Sequence, residues 1–158
     1  MTCYAHLPSF LKVLITSDGT VTNMLEAWFA EAIHVEVEQE STTVPEHDLV
    51  LLNAAPGDHA LCRTTQVKGK TSGVCYLNAT AVVLPNRVPQ ATLDCIGSHE
   101  AGIGKALRQT RSETLREVLD WGVDDDEQIA WRCYRIVMSG QPVMLITERF
   151  PIAPYLTR

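Results

Sequence analysis

Two β-rich stretches, each broken by a glycine turn and each ended by a proline, constrain the fold of this 158-residue chain most strongly. The first spans residues 61–84 and turns at 68–70, and the second spans residues 131–150 and turns at 139–142. A tight turn at glycine joins antiparallel neighbours, and proline ends a strand because it cannot donate to the ladder. The pattern therefore predicts two hairpins of one antiparallel sheet.

The N-terminal third predicts two helices and a further strand. Residues 10–15 are apolar and fit a short helix, and Thr20 or Thr22 can cap a second helix. Residues 33–38 alternate apolar and polar side chains, which is typical of a half-buried strand. Residues 41–48 are polar and are predicted to form a loop.

The segment between the two hairpins is predicted to be helical. Residues 103–109 fit one short helix, and a second begins after Ser112 and ends at Gly122, which has the place of a C-cap glycine. The acidic run 124–127 then fits a solvated loop. Helices alternating with tight hairpins predict the α+β class, with a single antiparallel sheet in one domain over residues 1–158.

The charge balance excludes some partners. The formal net charge is -6, so the chain lacks the basic surface that a nucleic-acid binder needs. No apolar run approaches the roughly 18 residues of a membrane span, and no signal peptide is recognisable. The five cysteines form no CxxC pair, which favours reduced thiols over a metal site or a disulfide framework. We therefore expect a cytoplasmic protein with no nucleic-acid and no membrane partner.

Several catalytic motifs are missing from the sequence. There is no GxSxG nucleophile motif and no HExxH zinc motif, and the glycine-rich stretch 97–105 lacks the spacing of a phosphate loop. The histidines show no ligand spacing, although His99 in its glycine-flanked loop is a candidate site residue.

Charged residues inside apolar strands are the strongest candidates for a site. Arg63, Arg135 and Glu148 each interrupt an apolar run, and Glu148 shares a strand face with Met144 and Ile146. Because a buried charge is costly unless it is paired or used, two interpretations stay open. Either an Arg–Glu pair closes the core, or an arginine binds a ligand carboxylate while the glutamate contacts a hydroxyl or ether oxygen.

Four segments together resemble one known family. They are LITSDGTVT at 14–22, the Arg63 strand with its Lys-Gly turn at 68–69, the Gly-Ile-Gly segment at 102–104, and above all YRIVMSGQPVMLITE at 134–148. In this order they are similar to chorismate pyruvate-lyase and its actinobacterial and archaeal relatives. The resemblance implies helices that cover an enclosed ligand site on an antiparallel sheet.

The resemblance also implies an activity. Members of that family remove the enolpyruvyl group of chorismate as pyruvate and leave 4-hydroxybenzoate, without a metal or organic cofactor. By position, Arg63 would bind the ring carboxylate and Glu148 would contact the ring oxygen where the ether breaks. Val21, Gly102 and Ile103 would line the pocket. The expected partner is thus a small carboxylate, and the sequence does not give the oligomeric state.

One position departs from the family pattern. Thr80 stands where the bacterial lyases that this chain resembles have a second arginine, which would bind the side-chain carboxylate of chorismate. Arg135 is then the candidate to replace it, or Arg149 if that residue faces the site instead. Alternatively the chain acts on another small carboxylate or polyketide-like substrate in natural-product biosynthesis, as a lyase, dehydratase or cyclase. A third possibility is a ligand-sensing domain without catalysis.

Overall fold

The protein forms one six-stranded antiparallel sheet with helices packed on it. The structure, a computed structural model, describes residues 4–98 and 102–156. The strands are β1 Ile33–Ser41, β2 Leu61–Gly69, β3 Cys75–Val83, β4 Leu115–Asp124, β5 Ile129–Met138 and β6 Gln141–Pro151. The helices are α1 Ser9–Thr16, α2 Val21–Phe29, α3 Glu46–Leu51, α4 Gln90–Gly97 and α5 Ile103–Gln109, and short 3-10 turns lie at Tyr4–His6, Pro85–Arg87 and Ala153–Tyr155.

Both predicted hairpins form the centre of the sheet, and the α+β class is confirmed. The strand order is β1-β2-β3-β6-β5-β4, so β3 and β6 join the two hairpins, with Thr80 opposite Thr147. The β5–β6 turn has positive φ at Ser139 and Gly140, 49° and 76°. Two left-handed residues in succession match the twist of the strands that they connect.

The prediction of a helix after Ser112 is wrong, because residues 115–124 form strand β4 on β5. The register shifts between Val118 and Asp120, so a bulge interrupts the alternation of the strand. Because of that shift, the apolar residues of β4 recur three to four positions apart in the sequence, as they do on one face of a helix. Gly122 is not a helix cap; a Cβ there would lie 2.9 Å from the Trp131 indole ring, so glycine lets the ring cross the strand. The predicted loop at 41–48 also contains the start of α3.

The core is divided between the two faces of the sheet. On one face, α1 and α2 cover β2, β3 and β6, and α4 and α5 cover β3, β5 and β6. On the other face, α3 packs on Val82, Leu84 and Leu145. Successive strand residues alternate between the faces, so Ala81 faces α5 while Val82 faces α3. The face with four helices is the one that encloses a cavity.

The turn between β2 and β3 is held by Glu31, which follows α2. Its carboxylate accepts hydrogen bonds from the Tyr76 hydroxyl, from the Ser72 hydroxyl at 2.7 Å, and from the backbone N–H groups of Ser72 and Thr71 at 3.0 and 3.1 Å. These donors, the Tyr76 hydroxyl first, lower the pKa of Glu31 to about 2. Gly69 permits this contact, since a Cβ there would overlap the carboxylate.

We expect Glu31→Gln to destabilise the protein at pH 7 and to do so less at pH 3. Because the folded-state pKa is depressed, the stabilisation is complete above the ordinary carboxyl pKa of 4.5 and is lost as the pH falls towards 2. Thermal unfolding of wild type and variant at both pH values measures the difference. Glu113→Gln, which removes an exposed charge, is the control. An equal destabilisation at both pH values would contradict the assignment.

Candidate ligand-binding site

A cavity lies between the sheet and the helices that cover it. Its lining comes from all six strands, from the start of α2 and from the start of α5. The volume within reach of the centres of water molecules is about 90 Å³. One water needs about 10–15 Å³ by that measure, so the cavity has room for a small organic molecule. The lining residues are Gly19, Thr20, Val21, Thr22, Val35, Arg63, Thr65, Val67, Leu77, Ala79, Ala81, Gly102, Ile103, Gly104, Lys105, Arg116, Tyr134, Ile136, Ile146 and Glu148.

Glu148 on β6 contributes the carboxylate in the cavity wall. It points inward, as its place beside Ile146 predicts, and only 5% of it is exposed. One carboxylate oxygen accepts a hydrogen bond from Arg132 Nε at 2.6 Å, and the other accepts one from the Tyr134 hydroxyl at 3.1 Å. Glu148 is therefore held as a hydrogen-bond acceptor. Each oxygen keeps the capacity to accept a further bond from a ligand.

Arg132 on β5 ties this carboxylate to helix α1. Its side chain is fully buried, and Nη1 donates to the carbonyl oxygens of Ile15 at 3.2 Å and Ser17 at 2.6 Å. These carbonyls lie at the C-terminal end of α1, where the helix dipole favours a cation. The guanidinium also lies 4.9 Å from the centre of the Tyr134 ring.

Tyr134 is kept as a hydrogen-bond donor by its surroundings. Burial, with the charge of Glu148 as a smaller cause, raises the pKa of Tyr134 above its ordinary value. The hydroxyl thus stays protonated at neutral pH and orients Glu148 from β5. Glu148, Arg132 and Tyr134 form one buried polar cluster across two neighbouring strands.

Arg63 on β2 supplies a buried cation to the cavity wall, and strand β3 lies between it and the Glu148 strand β6. Only 6% of it is exposed, and Nη2 donates to the Ile96 carbonyl oxygen of α4 at 2.8 Å. Nε lies 3.2 Å from a carboxylate oxygen of Glu40, but it makes no hydrogen bond to any described residue. The side chain is thus fixed by α4 and retains a donor for a ligand.

The cavity is positive although the chain is acidic. Three of its lining residues are cationic, Arg63, Lys105 and Arg116, and one is anionic, Glu148, so the formal sum is +2 against -6 for the whole chain. Charges in a concave, partly buried site act more strongly than on an open surface. The site is suited to an anionic ligand.

A larger groove of about 650 Å³ adjoins Arg63 near His59 and Leu93, but it does not reach Glu148.

Five of the seven predicted site residues line the cavity. They are Val21, Arg63, Gly102, Ile103 and Glu148. The other two, Arg135 and Thr80, do not, and the prediction that they contact a ligand there has to be corrected. His99, the further candidate, lies outside the described residues.

Strand alternation explains both corrections. On β5, Tyr134 and Ile136 face the cavity, so Arg135 faces the other way, where Nε donates to Glu117 at 2.6 Å and Nη1 to the Leu51 carbonyl oxygen at 2.9 Å. On β3 the cavity positions are Leu77, Ala79 and Ala81, and Thr80, between the two alanines, is directed to the face of α3. Neither residue replaces a second arginine in the site.

Sequence reasoning missed three residues of the site. Arg132 and Tyr134 share the face of Ile136 on β5, and that period of two was a usable signal. Arg116 was hidden because its segment was interpreted as a helix, whereas on β4 it lines the cavity.

The described ranges contain neither a candidate metal site nor a candidate membrane-spanning helix. Within residues 4–98 and 102–156, no group of three or more His, Cys, Asp and Glu side chains is placed to hold a metal ion. None of the helices in these ranges is long and apolar enough to cross a membrane.

The fold and site define an α+β domain that encloses a positively charged cavity between one antiparallel sheet and its helices. Its sequence is similar to chorismate pyruvate-lyase of Mycobacterium leprae (strain TN), 28% identical over 154 residues, which are 89% of this chain and 73% of that protein. It is 22% identical over 156 residues to chorismate pyruvate-lyase of Mycobacterium tuberculosis (strain ATCC 25618 / H37Rv), covering 89% of this chain and 78% of the relative. The resemblance found from the four sequence segments is thus confirmed. No model of a known protein family matches the chain.

Solved structures with a similar fold include PhnF and a transcriptional regulator of the GntR family. PhnF from Mycobacterium smegmatis aligns with a TM-score of 0.60 at 15% identity, over 86% of this chain and 65% of that one. Its effector domain alone aligns at 0.58 and 15% identity, over 84% of this chain and 88% of that one. A GntR-family regulator from Bacillus cereus aligns at 0.54 with 8% identity, over 75% of this chain and 91% of that one. At these identities the likeness shows the fold.

We expect Arg132→Met to lower the free energy of unfolding by about 3–5 kcal/mol, because it leaves the Glu148 carboxylate buried without its cation. Chemical denaturation of wild type and variant measures the change. Arg149→Met is the matched control, since Arg149 pairs with Glu127 in an exposed ion pair that contributes about 0–1 kcal/mol. Similar effects of the two substitutions would show that the Arg132–Glu148 pair is not the central contact.

Proposed function

We propose that this protein is a cofactor-independent carbon–oxygen lyase that converts chorismate into 4-hydroxybenzoate and pyruvate. The observation that carries the proposal is the cavity whose wall contains both the buried cation of Arg63 and the fixed carboxylate of Glu148. The similarity of 89% of the chain to proteins named chorismate pyruvate-lyase supports it.

Arg63 is assigned to the ring carboxylate of the substrate. A buried guanidinium binds a carboxylate through short, charge-assisted hydrogen bonds, and Arg63 Nε, although it lies 3.2 Å from Glu40, makes no hydrogen bond to a described residue. The bond from Arg63 to the Ile96 carbonyl oxygen fixes the side chain before the ligand arrives. Such preorganisation reduces the entropy that is lost on binding.

Glu148 is assigned to the oxygen substituents on the far side of the ring. Its carboxylate, held by Arg132 and Tyr134, accepts a hydrogen bond from the ring hydroxyl. Apolar side chains fill the wall between the two ends, among them Val21, Ile103 and Ile146. The ring therefore lies in an apolar space with a polar group at each end, which fixes its orientation.

The proposed reaction balances without a further reactant. The carbon–oxygen bond between the ring and the enolpyruvyl group breaks, and the ring loses the proton from its hydroxyl-bearing carbon and becomes aromatic. The departing enolpyruvate takes up one proton and becomes pyruvate. The contribution of the protein is to hold the ring between Arg63 and Glu148 and to limit the access of water.

A second candidate function is ligand sensing without catalysis. The fold is shared with the effector domain of PhnF, and the cavity positions on β3 are the uncharged, apolar residues Leu77, Ala79 and Ala81. A protein of this kind would bind a small carboxylate and release it unchanged. A lyase, dehydratase or cyclase of natural-product biosynthesis, acting on another carboxylate, would use the same cavity without turning over chorismate.

Incubation of the purified protein with chorismate, without added metal, tests the lyase. We expect equimolar pyruvate and 4-hydroxybenzoate, measured by chromatography. We expect Arg63→Gln and Glu148→Gln each to lower kcat/KM at least about 100-fold, because each removes a charge-assisted contact that the site is built to make. Arg149→Gln is the control for Glu148, since it is adjacent in sequence and lies on the exposed side of β6.

Three results separate the candidates. Loss of turnover in the two cavity variants, with full activity in Arg149→Gln and unchanged folding by circular dichroism, supports the lyase. Folded wild-type protein that binds 4-hydroxybenzoate but leaves chorismate intact would contradict it and favour sensing. Equal activity in all variants would place the chemistry elsewhere in the chain.

A further inference from the structure

We propose that Arg116 on β4 binds a second anionic group of the ligand, so that the site selects dicarboxylates over monocarboxylates. The inference rests on the proposed function for the identity of the ligand, and it adds a specificity-determining residue that the sequence pattern did not reveal. Its basis is the position of Arg116 in the cavity lining, on β4, which β3, β6 and β5 separate from the Arg63 strand β2.

Arg116 is held in place by the loop between α1 and α2. Its Nη1 donates to the backbone carbonyl oxygens of Asp18 and, at 2.6 Å, Gly19 in the loop between α1 and α2. Its guanidinium lies 5.9 Å from the centre of the Tyr134 ring. The Nη1 end of the guanidinium is therefore fixed by the loop between α1 and α2, and the guanidinium lies near the ring of Tyr134.

One donor of Arg116 is left without a partner among the described residues. Nε of Arg116 is buried and makes no hydrogen bond to any described residue. A buried N–H group of a charged side chain without a partner is costly, and a ligand oxygen would satisfy it. Arg63 Nε also makes no hydrogen bond to a described residue, but it lies 3.2 Å from a Glu40 carboxylate oxygen. Of the two arginines in the cavity lining, Arg116 is therefore the one whose buried Nε has no described partner.

Helix α5 approaches the Arg116 side chain closely at Gly104. A Cβ at Gly104 would lie 3.3 Å from Nη2 of Arg116 and 3.2 Å from Cγ2 of Thr20. Glycine at this position lets the guanidinium lie against the first turn of α5, beside Ile103 and Lys105 in the cavity lining. Arg116 therefore reaches the space that α5 covers.

Within the described ranges, no strand places a third arginine in the cavity lining. Among the described residues, the arginines in the cavity lining are Arg63 and Arg116. Arg135 faces away, and the β3 positions in the cavity lining are the apolar residues Leu77, Ala79 and Ala81. With one carboxylate of a ligand on Arg63, Arg116 and the neighbouring Lys105 are the cations of the lining that remain for a second anionic group. Arginine binds a carboxylate with two parallel donors, which adds geometric selectivity to charge.

Calorimetric titration with two unreactive ligands tests the inference. The probes are 4-(carboxymethoxy)benzoate, which carries a second carboxylate on an ether, and 4-methoxybenzoate, which lacks it. We expect wild-type protein to bind the dicarboxylate about 10-fold more tightly or better, and Arg116→Gln to bring the ratio of the two affinities close to one. Arg63→Gln should lower the affinity for both ligands and leave the ratio of the two affinities unchanged.

Two further variants separate contact from general charge and from folding. Arg108→Gln removes an exposed cation of α5 that lies outside the cavity, and it should keep the ratio. Arg116→Lys keeps the charge and should keep part of the preference, while thermal unfolding reports whether each variant folds. If Arg116→Gln weakens both ligands equally, its role is structural and the inference is overturned. The same holds if wild type shows no preference, binds neither ligand, or loses its preference in Arg108→Gln.

The lyase proposal can fail independently of this inference. A wild-type preference for the dicarboxylate that depends on Arg116, together with intact chorismate in the turnover assay, would refute the lyase and retain the dicarboxylate site. Chorismate turnover that is unchanged in Arg116→Gln, together with an unchanged affinity ratio, would retain the lyase and refute the inference.

Discussion

The buried contact between Arg132 and Glu148 is the interaction on which the rest of the site depends. It joins β5 to β6, and through the carbonyls of Ile15 and Ser17 it also joins the sheet to the end of α1. A buried ion pair is costly unless its remaining hydrogen-bonding groups are satisfied, and here Tyr134 and the helix end satisfy several of them. The same network that stabilises the core therefore fixes the carboxylate in the cavity wall.

A second arginine extends this arrangement to the loop that follows α1. Arg132 binds the carbonyl oxygens of Ile15 and Ser17, and Arg116 binds those of Asp18 and Gly19. Two neighbouring strands thus hold four carbonyl groups in the segment that leads into α2. Because Gly19 and Val21 line the cavity, the position of the cavity wall depends on these contacts. The local positive charge of the site comes from Arg116 together with Arg63 and Lys105, although the chain as a whole is acidic.

Much of the fold could be predicted from the sequence, for physical reasons that concern particular elements. The hairpins were predictable because glycine turns and terminal prolines are local signals, as at Gly140 and Pro151. Strand β4 was not, because the bulge after Val118 destroys the period of two on which a strand assignment depends. The face of Glu148 followed from its neighbours. The faces of Arg135 and Thr80 required the alternation of whole strands, which a charge in an apolar run does not reveal. Arg116 became visible only once β4 was recognised as a strand.

The most direct measurement is a crystal structure of the protein with 4-hydroxybenzoate bound. The account predicts the ligand in the cavity between sheet and helices, with its carboxylate on the Arg63 guanidinium and its hydroxyl within hydrogen-bond distance of Glu148. A ligand bound in the larger groove beside His59 and Leu93, or in the cavity with its carboxylate away from Arg63, would contradict the central claim.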